Sequence, residues 1–242
     1  MNILTIDIET CPNTVYSWGL FKQNISINQI IEPSKMICWA AKKYGEKEVI
    51  FGAEWERKDY LKRLWKLLDW ADVVIGYNHD KFDMPRIDGE FLRNGFTPPS
   101  PYQTVDLLKT VRKLGFVSNK LDYASQQLEI GAKVEHAGFQ LWVDVEHRKA
   151  KALAMMEKYN RQDVVLTEKL YDQLLPWIKT HPNRNLFCFD DENLTCYKCG
   201  SSDVIRKGYR YTNAGVYKRY LCKSCGAWQK GKHAEKTAEL RQ

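Results

Sequence analysis

Asp7 and Glu9 stand two residues apart in the run Ile6-Asp7-Ile8-Glu9-Thr10. Side chains alternate across a strand, so both acids project from one face while Ile6 and Ile8 project from the other. A strand that buries one face and carries two carboxylates on the other suits a bound cation. A solvent-facing pair on an edge strand is the alternative. Asp83, in GYNHDKFDMP, follows the apolar run DVVIGY by a short loop. Catalytic groups gather at strand ends in α/β folds, but Asp83 also suits a helix N-terminal cap ahead of Met84 and Pro85. Tyr159 and Asp163 lie four residues apart in YNRQD and would share one helix face.

A second kind of chemistry sits late in the chain. Cys196, Cys199, Cys222 and Cys225 form CxxC-x22-CxxC, with Gly200 and Gly226 directly after the two pairs. Two-residue spacing lets both thiolates of a pair reach one tetrahedral zinc, at about 2.3 Å each. The glycines allow the tight turn that follows. With all four positions filled by thiolate, the metal would be structural and would supply the folding energy of a module too small to bury much core. A redox role fits less well, because no thioredoxin-like strand–helix context surrounds the pairs. Between them, Asn213-Ala214-Gly215 suits a hairpin turn, flanked by tyrosines interleaved with Arg and Lys. The pattern reads as a zinc ribbon, whose cations could track phosphates while an exposed tyrosine stacks on a base. A protein partner for the ribbon is the other reading.

The elements that must position these groups follow from periodicity. Ile3 to Ile8 reads as a strand broken by Pro12 and Asn13. Met36–Tyr44 and Val49–Phe51 read as paired strands. Lys58–Trp70 has helical apolar spacing, and Asp72–Tyr77 is a short buried strand. A helix follows from about Met84 to Arg93, then a proline-rich loop over Gly95–Pro101. Leu121–Leu128 is helical, Gly131–Asp144 is a long irregular segment, and Ala150–Leu175 is a long helix with a possible break. Strands followed by alternating strands and helices indicate an α/β domain with a mixed sheet. The expected division is a catalytic domain over 1–180, a linker over 181–190 and the ribbon with a basic tail over 191–242.

Charge separates the two parts. Residues 196–242 hold 11 Lys/Arg against 3 Asp/Glu, a net of +8, whereas the rest of the chain nets −1. A basic tail suits a polyanionic partner. Seven cysteines, an odd number with four clustered, argue against a secreted disulfide framework and for a reducing cytoplasm. No apolar run approaches the ~18 residues of a membrane helix. The acids at 7 and 9 make the N-terminus a strand rather than a signal peptide.

Taken in order, DIET at 7–10, Asn-x3-Phe-Asp from Asn78 to Asp83, and Tyr-x3-Asp from Tyr159 to Asp163 resemble the three exonuclease motifs of the DEDD (DnaQ-like) superfamily, in its tyrosine-bearing DEDDy branch. The histidine-bearing branch places His five residues before the last Asp, where this chain has Lys158. Ser118–Tyr123 and Leu141-Trp142 are similar to bacterial and phage members of an exonuclease group with a ribonuclease H-like fold. The resemblance spans about residues 1–175. It implies a mixed sheet flanked by helices and 3′→5′ hydrolysis of phosphodiester bonds. Asp7 would bridge two Mg²⁺ or Mn²⁺, Glu9 and Asp163 would complete one metal site, and Asp83 would support the other through water. Two hard cations about 3.5–4 Å apart clamp the attacking and leaving oxygens, and hard cations take oxygen ligands. A phenol with pKa ~10 is a poor base at neutral pH, so Tyr159 is expected to orient the attacking water.

Asn78 and Phe82 are candidates to hold or wedge the terminal nucleotide, although core packing is the favoured expectation for Phe82. His136 and His147 are expected to be loop or surface residues. Single-stranded DNA is the first expected substrate and RNA the second. The rivals are a structure-selective endonuclease on the same site and a non-catalytic binding protein that uses the ribbon.

Overall fold

A computed structural model describes residues 1–187 and 194–239 of the chain. It divides into two compact units, one covering Asn2–Leu170 and the other Tyr171–Gln242 with Met1.

The first unit is built on β1 (Ile3–Thr10). The chain then makes a small hairpin of β2 (Thr14–Val15) and β3 (Ile30–Glu32), whose connection leaves Trp18, Leu20 and Phe21 exposed. Next come β4 (Met36–Lys43), β5 (Ile50–Ala53), α1 (Tyr60–Trp70), β6 (Val73–Gly76), α2 (Asp83–Arg93), β7 (Gln103–Asp106), α3 (Leu107–Val111), α4 (Leu121–Gln127), α5 (Gln140–Glu146) and α6 (Ala150–Leu174). Five strands form one sheet in the order β5-β4-β1-β6-β7. β1 runs antiparallel to β4 and parallel to β6, so the sheet is mixed, as expected.

The acids of β1 are therefore on a central strand, which removes the edge-strand alternative. Leu4, Ile6 and Ile8 pack with Leu61, Leu64 and Leu68 of α1 and Met84, Ile87 and Phe91 of α2. On the opposite face, Cys38, Ala40 and Phe51 pack with Leu141 and Val145 of α5 and Met156 and Tyr159 of α6. Alternation sends the odd-numbered side chains of β1, Asp7 and Glu9 among them, toward this second layer of helices rather than toward open water. Trp39 lies across β5 because Gly52 has no Cβ; one built there would come 2.5 Å from the indole.

Two expectations for this unit need correction. The irregular stretch over Gly131–Asp144 ends in a helix, α5, held by Leu141 and Val145. Seven residues carry only one i,i+4 apolar pair, too little for a periodic signal. The long helix α6 has no break.

The first unit ends ten residues before the expected boundary at 180. Tyr171 stacks on His181 and its hydroxyl meets His181 Nε2 at 2.7 Å. Lys198 Nζ donates to the carbonyls of Leu175 and Pro176, at 2.9 Å each. The expected linker is structured over its described part. Arg184–Phe187 form a 3-10 turn, and the Arg184 amide donates to the Tyr197 carbonyl at 2.7 Å. Residues 188–190 of that linker, Cys188 included, lie outside the described residues. The remainder is a three-stranded antiparallel sheet of β8 (Val204–Tyr211), β9 (Gly215–Cys222) and β10 (Trp228–Thr237), in the order β10-β9-β8. The hairpin expected around Asn213–Gly215 joins β8 to β9. β10 was not legible, because its burial pattern is almost wholly exposed and it carries no apolar alternation.

Among the described residues, no helix is long and apolar enough to cross a membrane.

Candidate active site

Three of the four expected acids converge. Carboxylate oxygens of Asp7, Glu9 and Asp163 all lie within 4.8 Å of one another. β1 supplies the first two and α6, crossing that face of the sheet, supplies the third. Asn160, one helical turn from Asp163, fixes the arrangement. Its Nδ2 donates to Asp7 Oδ2 at 2.6 Å and to the Asp7 carbonyl at 3.3 Å.

Asp83 stands apart from this trio, for a reason that lies in the sheet. β1 pairs with β6 only from Ile3 to Thr5, and β6 ends at Gly76. Farther along β1 the backbone lacks a strand on that side. The Asp83 Oδ1 accepts the Ile8 amide at 3.0 Å, taking the bond a longer β6 would have made. Asp83 is the first residue of α2 rather than its N-cap, which is Phe82. Asn78 makes the turn that brings α2 there. It adopts a left-handed backbone (φ 63°), which asparagine tolerates better than most residues. Its amide donates to Asp106 Oδ1 at 2.8 Å, and its carbonyl accepts the amides of Lys81 and Phe82. Nearby, His79, Asp80 and Asp106 also cluster. Asp80 is paired with Lys109 and Asp106 accepts two backbone amides, so this group brackets the turn.

The carboxylates repel one another where water is scarce. Burial pushes Asp7 well above the usual range, and the charges of Asp83, Asp163 and Glu9 add to the shift. Glu9 is pushed up to about 8, by burial first and then by Asp163. Asp83 rises to about 7 through burial, with the Ile8 amide pulling the other way. Asp163 is also raised by burial, against the pull of Lys133.

Lys133, which the sequence reading missed, is the cation the protein itself places here. Its ammonium donates to Asp163 Oδ2 and, at 2.9 Å, to the Tyr159 hydroxyl. Burial works against the charged form, but Asp163 and Tyr159 outweigh it and hold the lysine above its ordinary pKa. Asp163 Oδ1, in contrast, is buried without a hydrogen-bond partner. Closely spaced hard oxygens, mutually repelling and with one orphaned, fit Mg²⁺ or Mn²⁺.

Tyr159 is held in an aromatic corner. The His136 ring meets it edge-on at 4.8 Å and the Trp142 ring at 6.1 Å. Trp142 also pulls the Glu9 pKa down slightly, against the larger upward push of burial. His136 lies in a loop, as expected, but is half-buried against the site's wall, whereas His147 is exposed. The Tyr159 phenol is shifted above its ordinary pKa by burial and then by the Asp163 charge. The phenolate that could act as a base is therefore even scarcer at neutral pH than for a free phenol.

Beside these groups a groove of about 290 Å³ opens next to Thr10, lined by Lys35, Lys81, Phe82, Arg86 and Arg93 among others. Phe82 is not core. It is 37% exposed, with the Arg86 guanidinium 4.2 Å from its ring centre. The core expectation failed because α2 buries Met84, Ile87 and Phe91 instead.

The four late cysteines also converge. Sγ atoms of Cys196 and Cys225 lie 3.7 Å apart and those of Cys199 and Cys222 lie 3.6 Å apart. All four fall within 4.8 Å of one another. A tetrahedron with Zn–S arms of about 2.3 Å has edges of about 3.8 Å, so the thiol set fits zinc. Gly200 and Gly226 have φ of 79° and 77° and donate their amides back to Cys196 and Cys222. They make the expected turns.

Known proteins place the first unit. The fold is similar to that of a family B DNA polymerase from the hyperthermophilic archaeon Pyrobaculum calidifontis. The TM-score is 0.54 at 17% identity, over 72% of this chain and 24% of the polymerase. This chain thus spans about a quarter of that protein's length. No curated protein sequence matches the chain. The ribonuclease H superfamily profile matches residues 4–175, the span that holds every carboxylate of the cluster. The chain belongs to the ribonuclease H superfamily.

Proposed function

We propose that the protein is a 3′→5′ exonuclease of the DEDDy type that hydrolyses single-stranded nucleic acid, DNA before RNA, with two Mg²⁺ or Mn²⁺. The observation that carries this reading is the meeting of Asp7, Glu9 and Asp163 beneath α6, with Asp83 held against the adjoining amide of Ile8. Superfamily membership supports a nuclease; polarity and branch come from the order of the motifs. When bound, the metal pair would lower the pKa of a water and stabilise charge on the attacking and leaving oxygens.

Asp7, which feels the charges of Asp83, Asp163 and Glu9, would be shared by both cations. Glu9 and Asp163 would help hold one of them, and Asp83, set back from the trio, would support the other. Tyr159 would donate a hydrogen bond that aims the water, since its raised pKa removes it as a base. The groove at Thr10 and Phe82 would receive the terminal nucleotide, its phosphates against Lys81 and Arg86. Asn78 acts there through the turn it makes. In the second unit, Cys196, Cys199, Cys222 and Cys225 would hold one structural zinc.

Incubation of end-labelled single-stranded, duplex and branched substrates with Mg²⁺, Mn²⁺ or EDTA tests the reading. A metal-dependent ladder shortening from the 3′ end is expected. A single internal cut would make the protein an endonuclease, and an intact label with a gel shift would make it a binding protein.

A further inference from the structure

The three-stranded sheet of the second unit has two unlike faces. Cross-strand partners share a face. The register pairs Leu221 with Trp228 and with Ile205, and Arg219 with Lys230. Tyr217 lies two residues beyond Arg219 on the same side of β9. Lys207 joins them through a bulge. Lys207 and Gly208 together oppose Arg219, Gly208 has φ 73°, and the Arg219 Nε donates to the Lys207 carbonyl at 2.9 Å. The bulge turns Lys207 toward Trp228, with its ammonium 5.8 Å from the ring centre. Arg219 lies 4.6 Å from the same ring, and Lys230 lies 4.0 Å from the Tyr217 ring. Going along β9, this face presents an indole, then a pair of cations, then a phenol.

The other face is already occupied. Lys218 pairs with Glu235 and Arg206 bonds to the Tyr209 hydroxyl. Gln229 accepts the Tyr197 amide beside the first cysteine pair. Among the described residues, Lys207, Arg219 and Lys230 have no carboxylate partner. Trp228 is 44% exposed.

We propose that the Trp228–Arg219–Tyr217 face of this sheet binds a single strand of nucleic acid, with bases on the rings and phosphates on Lys207, Arg219 and Lys230. Three unpaired cations demand a polyanion, and interleaved rings demand exposed flat faces. A duplex supplies the charge but keeps its bases stacked on one another, while a single strand supplies both. That this strand is also the nuclease substrate rests on the function proposed above; the binding face does not.

The experiment uses the full chain in metal-free buffer, where hydrolysis is silent, and a fluorescent oligodeoxythymidylate titrated across a salt series. The K207Q/R219Q/K230Q variant is expected to lose about two units of log–log salt slope, at roughly 0.7 per phosphate contact on a single strand. Trp228→Ala is expected to weaken binding about tenfold. R206Q/K218Q, on the opposite face, is expected to change the slope by less than about half a unit. Zinc content should stay equal in all variants, as a check of folding. Unchanged slope in the triple variant, or equal loss per charge from both faces, would overturn the proposal. In the first case a protein partner takes its place, and in the second the ribbon acts only through net charge. Mn²⁺-dependent cleavage of a dinucleotide by the K207Q/R219Q/K230Q variant and the wild type reads the carboxylate site separately. Its absence in the wild type would sink the nuclease reading and leave the binding result standing.

Discussion

The oxygen cluster and the sulfur cluster could each hold a cation, by two different constructions. Asp7 and Asp163 come from opposite ends of the first unit and meet only because α6 crosses the sheet above β1. Cys196 and Cys199 come from one tight turn, Cys222 and Cys225 from another, and a single hairpin joins them. The oxygen site is assembled by a fold with its own large core. The sulfur site sits on a small one, Cys196, Cys222 and Ala227 with few neighbours. The first fold has a core of its own, whereas on our reading the second would draw its folding energy from a bound metal.

That contrast breaks most sharply at the ligands themselves. Asp7→Asn should slow hydrolysis by about 10³-fold or more, a barrier increase of ~4 kcal/mol, because Asn keeps the shape and removes the shared charge. The melting temperature of metal-free protein should not fall. A rate loss under about tenfold (~1.4 kcal/mol) would take Asp7 out of the centre of the mechanism. Cys222→Ser should do the reverse, abolishing one equivalent of zinc and the ordered signals of the ribbon while dinucleotide cleavage continues. Retained ribbon structure in that variant, read by amide exchange, would make the module independent of metal.

Tyr159→Phe should slow cleavage by about ten- to a hundredfold (~1.4–2.7 kcal/mol) with Mn²⁺ affinity unchanged, since it removes one hydrogen bond to water. Wild-type rates would end the tyrosine-branch assignment, and lost metal would make Tyr159 structural. Lys133→Met should tighten Mn²⁺ binding by up to about tenfold, ~1.4 kcal/mol, because a competing positive charge leaves Asp163. Isothermal titration measures it, and weaker binding would show that Lys133 organises the acids rather than competes for them.

The smallest effect is on pH. Glu9 at about 8 and Asp83 at about 7 lie above their ordinary values of 4.5 and 3.8. The folded state therefore keeps protons that the unfolded chain has released. Metal-free stability should fall as pH rises from about 4 to about 8. Saturating Mn²⁺ should flatten that slope, as read from thermal melts. A metal-free protein that gains stability over this range would show that the acids are not strained.

The two clusters also differed in how openly the sequence displayed them. Local spacing announced the cysteines, and alternation announced Asp7 and Glu9 on a strand with a buried face. Asn160 was half visible, one turn from Asp163 on the same helix. Lys133 and His136 were not, because they lie in 131–139, a stretch without periodicity whose position is set only by what it packs against. The set-back place of Asp83 depends on where β6 stops relative to β1, and a single chain pattern does not encode relative strand length. β10 escaped because a strand exposed along its length has no apolar rhythm to read.

The bond from Asn160 to Asp7 spans 153 residues of chain. Contacts of such separation form late, after the intervening loops have closed. A chain emerging from the ribosome has made its first two acids long before the helix that completes them, and in that interval it holds no assembled centre. Proteolytic fragments from either half are in the same position. On the proposed reading, hydrolytic competence would arrive together with a finished fold, and copies lacking either end of that bond would be inert.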